Sequence, residues 1–412
     1  MVKARRGAGR RRRAQGSANG SALLPLAGLR VVALEQAVSA PFCSRQLADL
    51  GSDVIKIERP DGGDTARSYD GVLQGESAYF VWLNRGKRSI VLDLKRAEDH
   101  EVCRRLIARA DVFVHNLAPG VVERLGFGFE ALAETHPTLI WCGISGYGPD
   151  GPYRDRKAYD MLVQGEAGIV ALTGTPGEAV KVGVSIADIA SGLYAYSSIL
   201  AALVRRYRTK RGTRIDVSML ECLAEWAMPP LYVWHGTGHS PRRAGLRHNM
   251  IVPYGAYACA DGAVMLAVQS DREWVRFCTT VLDAPGLARD PRYASNEQRL
   301  KNRATLEELV ERRFAGHTRE QVMAWLEAAD IPTGAVNDIP TLAGHPQLTA
   351  RRRWATVTTP AGDVPALVPP HNLSGVEPRM GDVPAVGQHQ AEILAELRAQ
   401  RASRPRPKRA RG

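Results

Sequence analysis

Alternation between short apolar runs and helical patterns sets the strongest limit on how this 412-residue chain can fold. The apolar runs, most of them rich in valine and isoleucine, occupy residues 29–35, 53–59, 89–94, 111–116 and 139–145. Helical patterns lie between them at 41–50, 97–109 and 121–134. Strands joined by helical crossovers form a parallel sheet that is covered on both faces. The sequence therefore predicts an α/β fold built on a Rossmann-like parallel sheet.

The second half of the chain has a more mixed pattern. Helical patterns at 159–172, 186–207 and 220–234 accompany a strand pattern at 213–219. A polar, basic loop at 236–253 is then followed by a hairpin pattern at 254–269 that turns at Ala-Asp-Gly, and by helical patterns at 271–282, 303–315 and 318–329.

These patterns predict how the chain divides into domains. The segment at 331–385 is rich in proline, glycine and short apolar runs, which is typical of an extended connection. We predict a large domain at 23–225, a smaller α+β domain at 226–330, and a return segment at 331–397 that completes the large domain.

The net charge of +12 is concentrated at the two ends of the chain. Residues 1–22 and 398–412 each carry seven basic side chains and no acidic one. Removing these fourteen from the 55 basic residues leaves 41 basic against 43 acidic residues, so the body is close to neutral. Both ends are too poor in apolar residues to offset the entropy of ordering, so we predict disordered basic tails. A nucleic-acid-binding or targeting arm is the alternative interpretation.

Several common chemistries lack their sequence signatures. The turn after the first predicted strand, at residues 35–46, contains no glycine, so a dinucleotide-binding fingerprint is absent. There is no Walker A motif and no metal-ligand spacing, and the six cysteines form no C-x-x-C pair. No uninterrupted 18-residue apolar run is present. We expect a cytoplasmic protein with reduced, buried thiols, no metal, no cofactor and no membrane span.

Four segments place polar residues where strands end or helices begin. They are IERPDGGD at 57–64, HNLAPGVVERLGF at 115–127, GYGPDGPYRDRKAYDMLVQGEAG at 146–168, and the region of GVSIADIASG within 182–203. Together with LADLGSDVIKIERP and LNRGKRSIVLDL, they resemble the class III CoA-transferase (CaiB/BaiF) family in order and spacing. The resemblance extends from about Leu26 to about Leu373.

The resemblance implies that Asp188 is the catalytic nucleophile. In this family an aspartate at the start of a helix carries the acyl group and then CoA, with acyl-CoA and a small carboxylic acid as substrates. Four small residues around Asp188 suit a bulky thioester, and their backbone N–H groups could stabilise an oxyanion; they are Gly183, Ala187, Ser191 and Gly192. From the residues alone, the favoured interpretation of Asp188 is an acid that complements the helix dipole, and the glycines would look the same if they served helix packing.

The resemblance also assigns positions that bind CoA. These positions are Arg59, Asn116, Leu117, Arg124, Lys157 and Tyr159. Arginine and lysine suit phosphate groups, and asparagine suits an amide or adenine. Solvated surface charge is the alternative for any one of them.

Tyr159 separates transferases from the related acyl-CoA racemases. Racemases of this fold carry a histidine at the position that we align with Tyr159, where it serves as a second base. Because tyrosine is a poor base near neutral pH, transfer of CoA is favoured over racemisation. Asp160 or Glu166 could orient the acceptor, or be surface acids.

The loop at 246–257 and the hairpin end at 266–274 resemble the branch of the family that handles dicarboxylates. We predict that Arg247 and His248 anchor the second carboxylate of the substrate, and that Gln269 also contacts it. A basic loop without a substrate role is the alternative. The resemblance further implies an interlocked homodimer in which each chain forms a ring.

Overall fold

The computed structural model describes residues 24–402, which form two compact units. Within the described residues, unit 1 comprises residues 24–145, 191–217 and 354–402, and unit 2 comprises Gly146–Ala190 and Ser218–Arg353. The predicted large domain includes residues 146–190, which the structure places in unit 2. Residues 1–22 and most of the predicted C-terminal tail lie outside the described residues, so the predicted disorder of the tails stays a prediction.

Strands β1 to β8 agree closely with the predicted ones, whereas β9 to β11 were not predicted. In chain order they are β1 Arg30–Leu34, β2 Asp53–Glu58, β3 Lys87–Val91, β4 Val112–His115, β5 Ile140–Ser145, β6 Thr213–Ser218, β7 Tyr254–Cys259, β8 Gly262–Ala267, β9 Thr333–Ala335, β10 Trp354–Thr359 and β11 Gly362–Leu367.

The helices are more finely divided than the periodicity predicts. In chain order they are α1 Ser39–Asp49, α2 Ala78–Asn84, α3 Ala97–Ile107, α4 Val121–Arg124, α5 Phe129–Ala133, α6 Asp160–Glu166, α7 Ile169–Leu172, α8 Ile186–Thr209, α9 Met219–Trp226, α10 Met228–Thr237, α11 Asp271–Arg276, α12 Asn296–Lys301, α13 Arg303–Phe314, α14 Arg319–Ala328, α15 Ile339–Ala343, α16 Pro346–Ala350 and α17 Gln390–Ala402. Gly168, in the left-handed region at φ 75°, separates α6 from α7 within the single predicted pattern at 159–172.

The predicted parallel sheet is the centre of unit 1. Its strand order is β3-β2-β1-β4-β5-β6, and the pairs among β1 to β5 for which the register is defined are parallel. This order is that of doubly wound α/β folds, in which ligands bind outside the carboxyl ends of the strands. Most side chains of the sheet are buried and apolar, as a sheet covered by helices requires, but β2 and β3 also bury Lys56, Glu58 and Lys87.

Helix α17 was not predicted. It extends to Ala402, whereas the predicted tail begins at residue 398. Ile393 and Leu397 of α17 are buried in the core of the sheet beside Ile107 of α3. Few apolar residues of α17 face the core and polar residues surround them, so the sequence showed no clear helical periodicity.

Unit 2 has a core of its own. The predicted hairpin forms β7 and β8, and β9 extends it to a three-stranded antiparallel sheet. Trp274, Phe277, Phe314 and Leu326 pack against this sheet. The prediction of an extended connection at 331–385 is partly wrong, because this segment contains β9, α15, α16 and the β10–β11 hairpin.

Five of the six cysteines are buried free thiols, and Cys259 is partly exposed and also free. Helix α8 has the length and apolar composition of a membrane-crossing helix, and no other helix among residues 24–402 does. Ala187, Ala190, Ala195 and Ile199 of α8 are fully buried, and a core helix meets the same length and composition criteria.

The turn from β1 to α1 does without glycine. Ala37 adopts the left-handed region at φ 61°, where its N–H donates to Asp64 Oδ1 at 2.9 Å. The preceding residue, Gln36, is held by Asn116, which accepts its N–H at 3.0 Å and donates to its carbonyl at 2.8 Å. Side chains from two other segments thus fix a backbone conformation that alanine disfavours.

Ala37→Gly is expected to leave the fold intact and raise the free energy of unfolding by up to about 1 kcal/mol, because glycine adopts φ 61° without strain. Chemical denaturation measures the change. A loss of stability beyond the entropic cost of glycine would contradict the strain at Ala37.

Candidate active site

Asp188 lies in the first turn of α8, as predicted, and its side chain is partly buried. Burial, together with the negative charge of Asp160, raises the pKa of the Asp188 carboxyl to about 7. A carboxyl group with this pKa is a stronger nucleophile than an ordinary aspartate, and a large fraction of it is ionised near neutral pH. The location is therefore suited to covalent catalysis rather than only to complementing a helix dipole.

Asp160 holds the start of α8 in place. It is the first residue of α6, and its Oδ1 accepts the N–H of Ala187 at 2.8 Å and that of Asp188 at 3.4 Å. Of the two acids left open by the sequence, Asp160 thus contacts the segment that carries Asp188. Glu166 instead forms an ion pair with Arg156 at 3.5 Å.

Sequence reasoning missed Gln164. This side chain is fully buried one turn after Asp160 on α6. Its Nε2 donates to Asp160 Oδ2 at 2.7 Å, and its Oε1 accepts the N–H of Val182 at 2.9 Å. The spacing of four residues between Asp160 and Gln164 was visible as a shared helix face, but nothing in the sequence indicated Val182 as a partner.

The four small residues near Asp188 have different surroundings, and Ser191 is fully buried on α8. The N–H of Ala187 is bound by Asp160, so the structure gives it a partner other than an oxyanion. Gly192 allows α8 to approach α1, because a Cβ there would lie 2.5 Å from the carbonyl oxygen of Ser39. A Cβ at Gly183 would meet nothing within 4 Å, so this glycine borders open space.

Four of the predicted CoA-binding residues lie in unit 1. Arg59 is about half exposed and contacts the Gly63 carbonyl at 3.3 Å and Asp61 at 3.6 Å. Arg124 is exposed at the end of α4, and Leu117 packs against the sheet core. Asn116 uses both ends of its amide within the protein, on Gln36 and on Ser39 Oγ at 3.0 Å. Its contacts support the β1–α1 turn, whereas Arg59 and Arg124 present cationic groups to solvent.

Lys157 and Tyr159 lie in unit 2, directly before α6. Both side chains are exposed, and Tyr159 is 74% exposed. They therefore precede Asp160 on a solvent-accessible segment, which leaves them available to a ligand.

Arg247 and His248 line one cavity in unit 2, with a volume of about 280 Å³. Arg247 is already paired with Glu311 at 2.8 Å and Glu307 at 3.5 Å, and its guanidinium lies 3.8 Å from the centre of the Tyr257 ring. An incoming carboxylate would share Arg247 with these two acids.

His248 is exposed and stacks on Tyr254, and its Nδ1 accepts the N–H of Met250 at 3.1 Å. Gln269 is also exposed, and its backbone N–H donates to Glu273. The substrate roles of Arg247, His248 and Gln269 stay predictions. Within residues 24–402, no group of three or more histidine, cysteine or acidic side chains is arranged to hold a metal ion.

Comparison with known proteins matches this arrangement to one family. The model of CoA-transferase family III matches residues 26–390. A succinate–glutarate CoA-transferase of Agrobacterium fabrum is 35% identical over 383 residues, which cover 90% of this chain and 96% of that protein. An acetyl-CoA:oxalate CoA-transferase of Acetobacter aceti is 36% identical over 329 residues, covering 79% of this chain and 84% of that protein.

A solved structure shows the same fold. The crystal structure of a CAIB/BAIF family protein from Brucella suis is 37% identical, with a TM-score of 0.79, and covers 90% of this chain and 99% of that one. The predicted resemblance is confirmed by sequence and by fold. This chain therefore belongs to CoA-transferase family III and is an enzyme that transfers CoA.

Proposed function

We propose that this enzyme moves CoA from an acyl-CoA donor such as succinyl-CoA to a short dicarboxylic acid, with Asp188 as the covalent carrier. The observation that carries the proposal is the partly buried Asp188 carboxyl, whose pKa is raised to about 7 at the start of α8. The names of the relatives support the substrate class. Their donors differ, but glutarate and oxalate are both dicarboxylic acids.

The first half of the reaction loads CoA onto Asp188. A carboxylate oxygen of Asp188 attacks the thioester carbonyl carbon, the C–S bond breaks, and CoA leaves as a thiolate. The product is a mixed anhydride between Asp188 and the donor acyl group. The thiolate then attacks the carbonyl carbon of Asp188, which releases the donor acid and leaves an aspartyl-CoA thioester.

The second half repeats these steps in reverse. The acceptor carboxylate attacks the Asp188 thioester carbonyl, the thiolate leaves, and a new mixed anhydride forms. The thiolate attacks the acyl carbon of the acceptor, which frees the Asp188 carboxylate and gives the new acyl-CoA. Because one thioester is exchanged for another, bonds and charges balance without ATP or a redox partner.

Two further features are proposed for substrate binding. Arg59, Arg124 and Lys157 have exposed cationic groups that suit the phosphates of CoA. His248 and Arg247, in the walls of the 280 Å³ cavity, are proposed to hold the second carboxylate of the acceptor. We also propose an interlocked homodimer of ring-shaped chains, on the basis of the family resemblance, and light scattering against the 44.9 kDa chain mass tests the dimer.

Trapping of the covalent carrier tests the proposal directly. The enzyme is incubated with succinyl-CoA and hydroxylamine, digested, and examined by mass spectrometry. Hydroxylamine converts an acyl-aspartate or aspartyl-CoA thioester to a hydroxamate, which is expected on the peptide that contains Asp188. A hydroxamate on a different acidic residue would show that this other residue, and not Asp188, is the covalent carrier. Exchange of the α-proton of a branched acyl-CoA with deuterium, without transfer of CoA, would indicate a racemase instead.

The rate of transfer is expected to rise with pH through about 7. Only the ionised Asp188 carboxylate can attack the thioester. Because the pKa of this group is raised to about 7, Asp188 is protonated and the enzyme inactive at lower pH. The measurement is kcat/KM for the acyl-CoA donor across the neutral range.

Asp160→Asn removes one of the two causes of this raised pKa. The variant is therefore expected to shift the acidic limb of the profile to lower pH, whatever its effect on the maximal rate. An unshifted limb would show that Asp160 does not influence the titrating group.

A further inference from the structure

Gln164 ties together three parts of the candidate site. From its buried position on α6 it contacts Asp160 on the same helix and Val182 in the segment that leads to α8. Asp160 in turn contacts Ala187 and Asp188 at the start of α8. The segment from Val182 to Asp188 is thus bound to α6 near both of its ends.

The hydrogen bonds in this network can run in only one direction. The backbone N–H of Val182 is a donor, so the Gln164 atom that faces it must be the acceptor Oε1. The amide nitrogen of Gln164 therefore faces Asp160, where a carboxylate oxygen accepts. The other oxygen of Asp160 accepts two backbone N–H groups. Each side chain has the donors and acceptors that its position demands.

We propose that Gln164 is a positioning residue for the transfer reaction, whose side-chain amide fixes Asp160 and thereby the orientation of Asp188. This inference rests on the proposed role of Asp188 as the covalent carrier. Gln164 does not touch the reacting atoms. It acts through Asp160 and through the backbone on which Asp188 is carried.

The physical reason lies in the two carboxylate oxygens of Asp160. Oδ1 accepts backbone N–H groups of α8, and within residues 24–402 the hydrogen bond to Oδ2 comes from the Gln164 amide. Without the amide, the part-buried Oδ2 of Asp160 loses the Gln164 donor and the Val182 N–H loses its acceptor, which favours rearrangement of both. Attack on a thioester requires a defined approach, and a displacement of about 1 Å can lower the rate by about 100-fold. A small loosening of the α8 start is therefore expected to affect kcat.

An exchange of the two side-chain types tests the direction of the network. In Asp160→Asn, the asparagine nitrogen faces the Gln164 nitrogen, so two donors oppose each other. In Gln164→Glu, two carboxylates oppose each other. The double variant Asp160→Asn/Gln164→Glu restores every donor–acceptor pair. Its new carboxylate on α6 accepts from Val182 and from the asparagine nitrogen, while the asparagine oxygen accepts from Ala187.

Single-turnover transfer from succinyl-CoA to Asp188 is followed by hydroxylamine capture. Each variant is compared with the wild-type enzyme on the plateau above its own acidic limb, because a substitution that adds or removes a charge shifts the pKa of Asp188. Each single variant is expected to lose about 10-fold or more in rate with little change in the KM for succinyl-CoA, and the double variant to recover most of the loss. Single variants that react at the wild-type rate would overturn the proposal. So would a double variant whose fold-loss in rate equals the product of the two single losses.

Gln164→Met provides a second test if the charged variant does not fold. Methionine keeps the volume of the side chain and removes both hydrogen bonds. The matched control is Gln46→Met on α1, another buried glutamine, whose Nε2 has no hydrogen-bond partner within residues 24–402. Measured well below both unfolding transitions, Gln164→Met is expected to lose rate and Gln46→Met to retain it. Equal rates for the two variants would show that Gln164 only fills space.

The two proposals can fail separately. If the wild-type enzyme forms a hydroxamate at Asp188 and Gln164→Met reacts at the same rate, only the positioning role is wrong. If the wild-type enzyme forms none at Asp188, the proposed function itself is wrong.

Discussion

Asp188→Asn is expected to lower kcat for CoA transfer by about 10⁴-fold or more, because the amide that replaces the carboxylate cannot form the mixed anhydride. The substitution keeps the size and shape of the side chain, so the fold and the affinity for acyl-CoA are expected to change little. Steady-state transfer from succinyl-CoA to glutarate measures the loss, and circular dichroism verifies the fold. Asp188→Ala, which cannot deamidate to aspartate, is measured beside it.

Asp271 supplies the matched control for Asp188. It is also an acid in the first turn of a helix, in this case α11, and it lies in the same compact unit. If Asp188 acted only by complementing a helix dipole, Asp188→Asn and Asp271→Asn would have similar, small effects on stability and none on transfer. Normal turnover by a correctly folded Asp188→Asn enzyme would exclude the covalent mechanism.

The parallel sheet was predictable because its strands are short, apolar and separated by helices. Each predicted run of unit 1 coincides with a strand of the sheet to within a few residues. The periodic signal is local, so it survives without knowledge of the tertiary structure. Helix α2 and helix α17 were not predicted, since their few buried side chains are set by contacts with distant segments.

The position of the proposed nucleophile was predictable, and the contacts that support it were not. Asp188 has a local motif around it that resembles a family, whereas the role proposed for Gln164 depends on its hydrogen bond to a backbone N–H 18 residues away. Similarly, the sequence assigned Arg247 to a carboxylate of the substrate, and the structure places Glu311 and Glu307 against it. Partners distant in sequence decide what a polar side chain does, and a single sequence carries little information about them.

Unit 1 contains a buried ionic cluster that no sequence pattern indicated. A substitution in this cluster is expected to have a large effect on the stability of the protein. Lys56 is fully buried, with its Nζ 2.7 Å from Asp64 and 3.3 Å from Glu35. Lys87 contacts the same glutamate at 2.7 Å. Burial acts to raise the pKa of Asp64, but the charge and hydrogen bond of Lys56, together with the backbone N–H groups of Ala66 and Ala37, leave that pKa below its ordinary value. Asp64 also holds the N–H of Ala37.

Lys56→Met is therefore expected to lower the free energy of unfolding by about 3–5 kcal/mol, because it leaves the buried Asp64 carboxylate without its cation. Denaturant titration measures the loss. The matched control is Lys301→Met, whose partner Glu297 lies at the same 2.7 Å but on the surface, where solvent screens the pair and the effect is expected to be much smaller.

The pH dependence of the Lys56→Met effect identifies its cause. In the wild-type protein the pKa of Asp64 is depressed, so its contribution to stability is present above about pH 4 and is lost only as the pH falls through the lower folded value. In Lys56→Met, burial without the cation is expected to raise this pKa, so the variant gains stability as the carboxyl takes up a proton. The difference in unfolding free energy between the wild-type protein and Lys56→Met should therefore narrow from neutral pH towards pH 5. The double variant Lys56→Met/Asp64→Asn should recover part of the lost stability at neutral pH. A difference that stays constant with pH would mean that lost packing, rather than an uncompensated charge, accounts for the destabilisation.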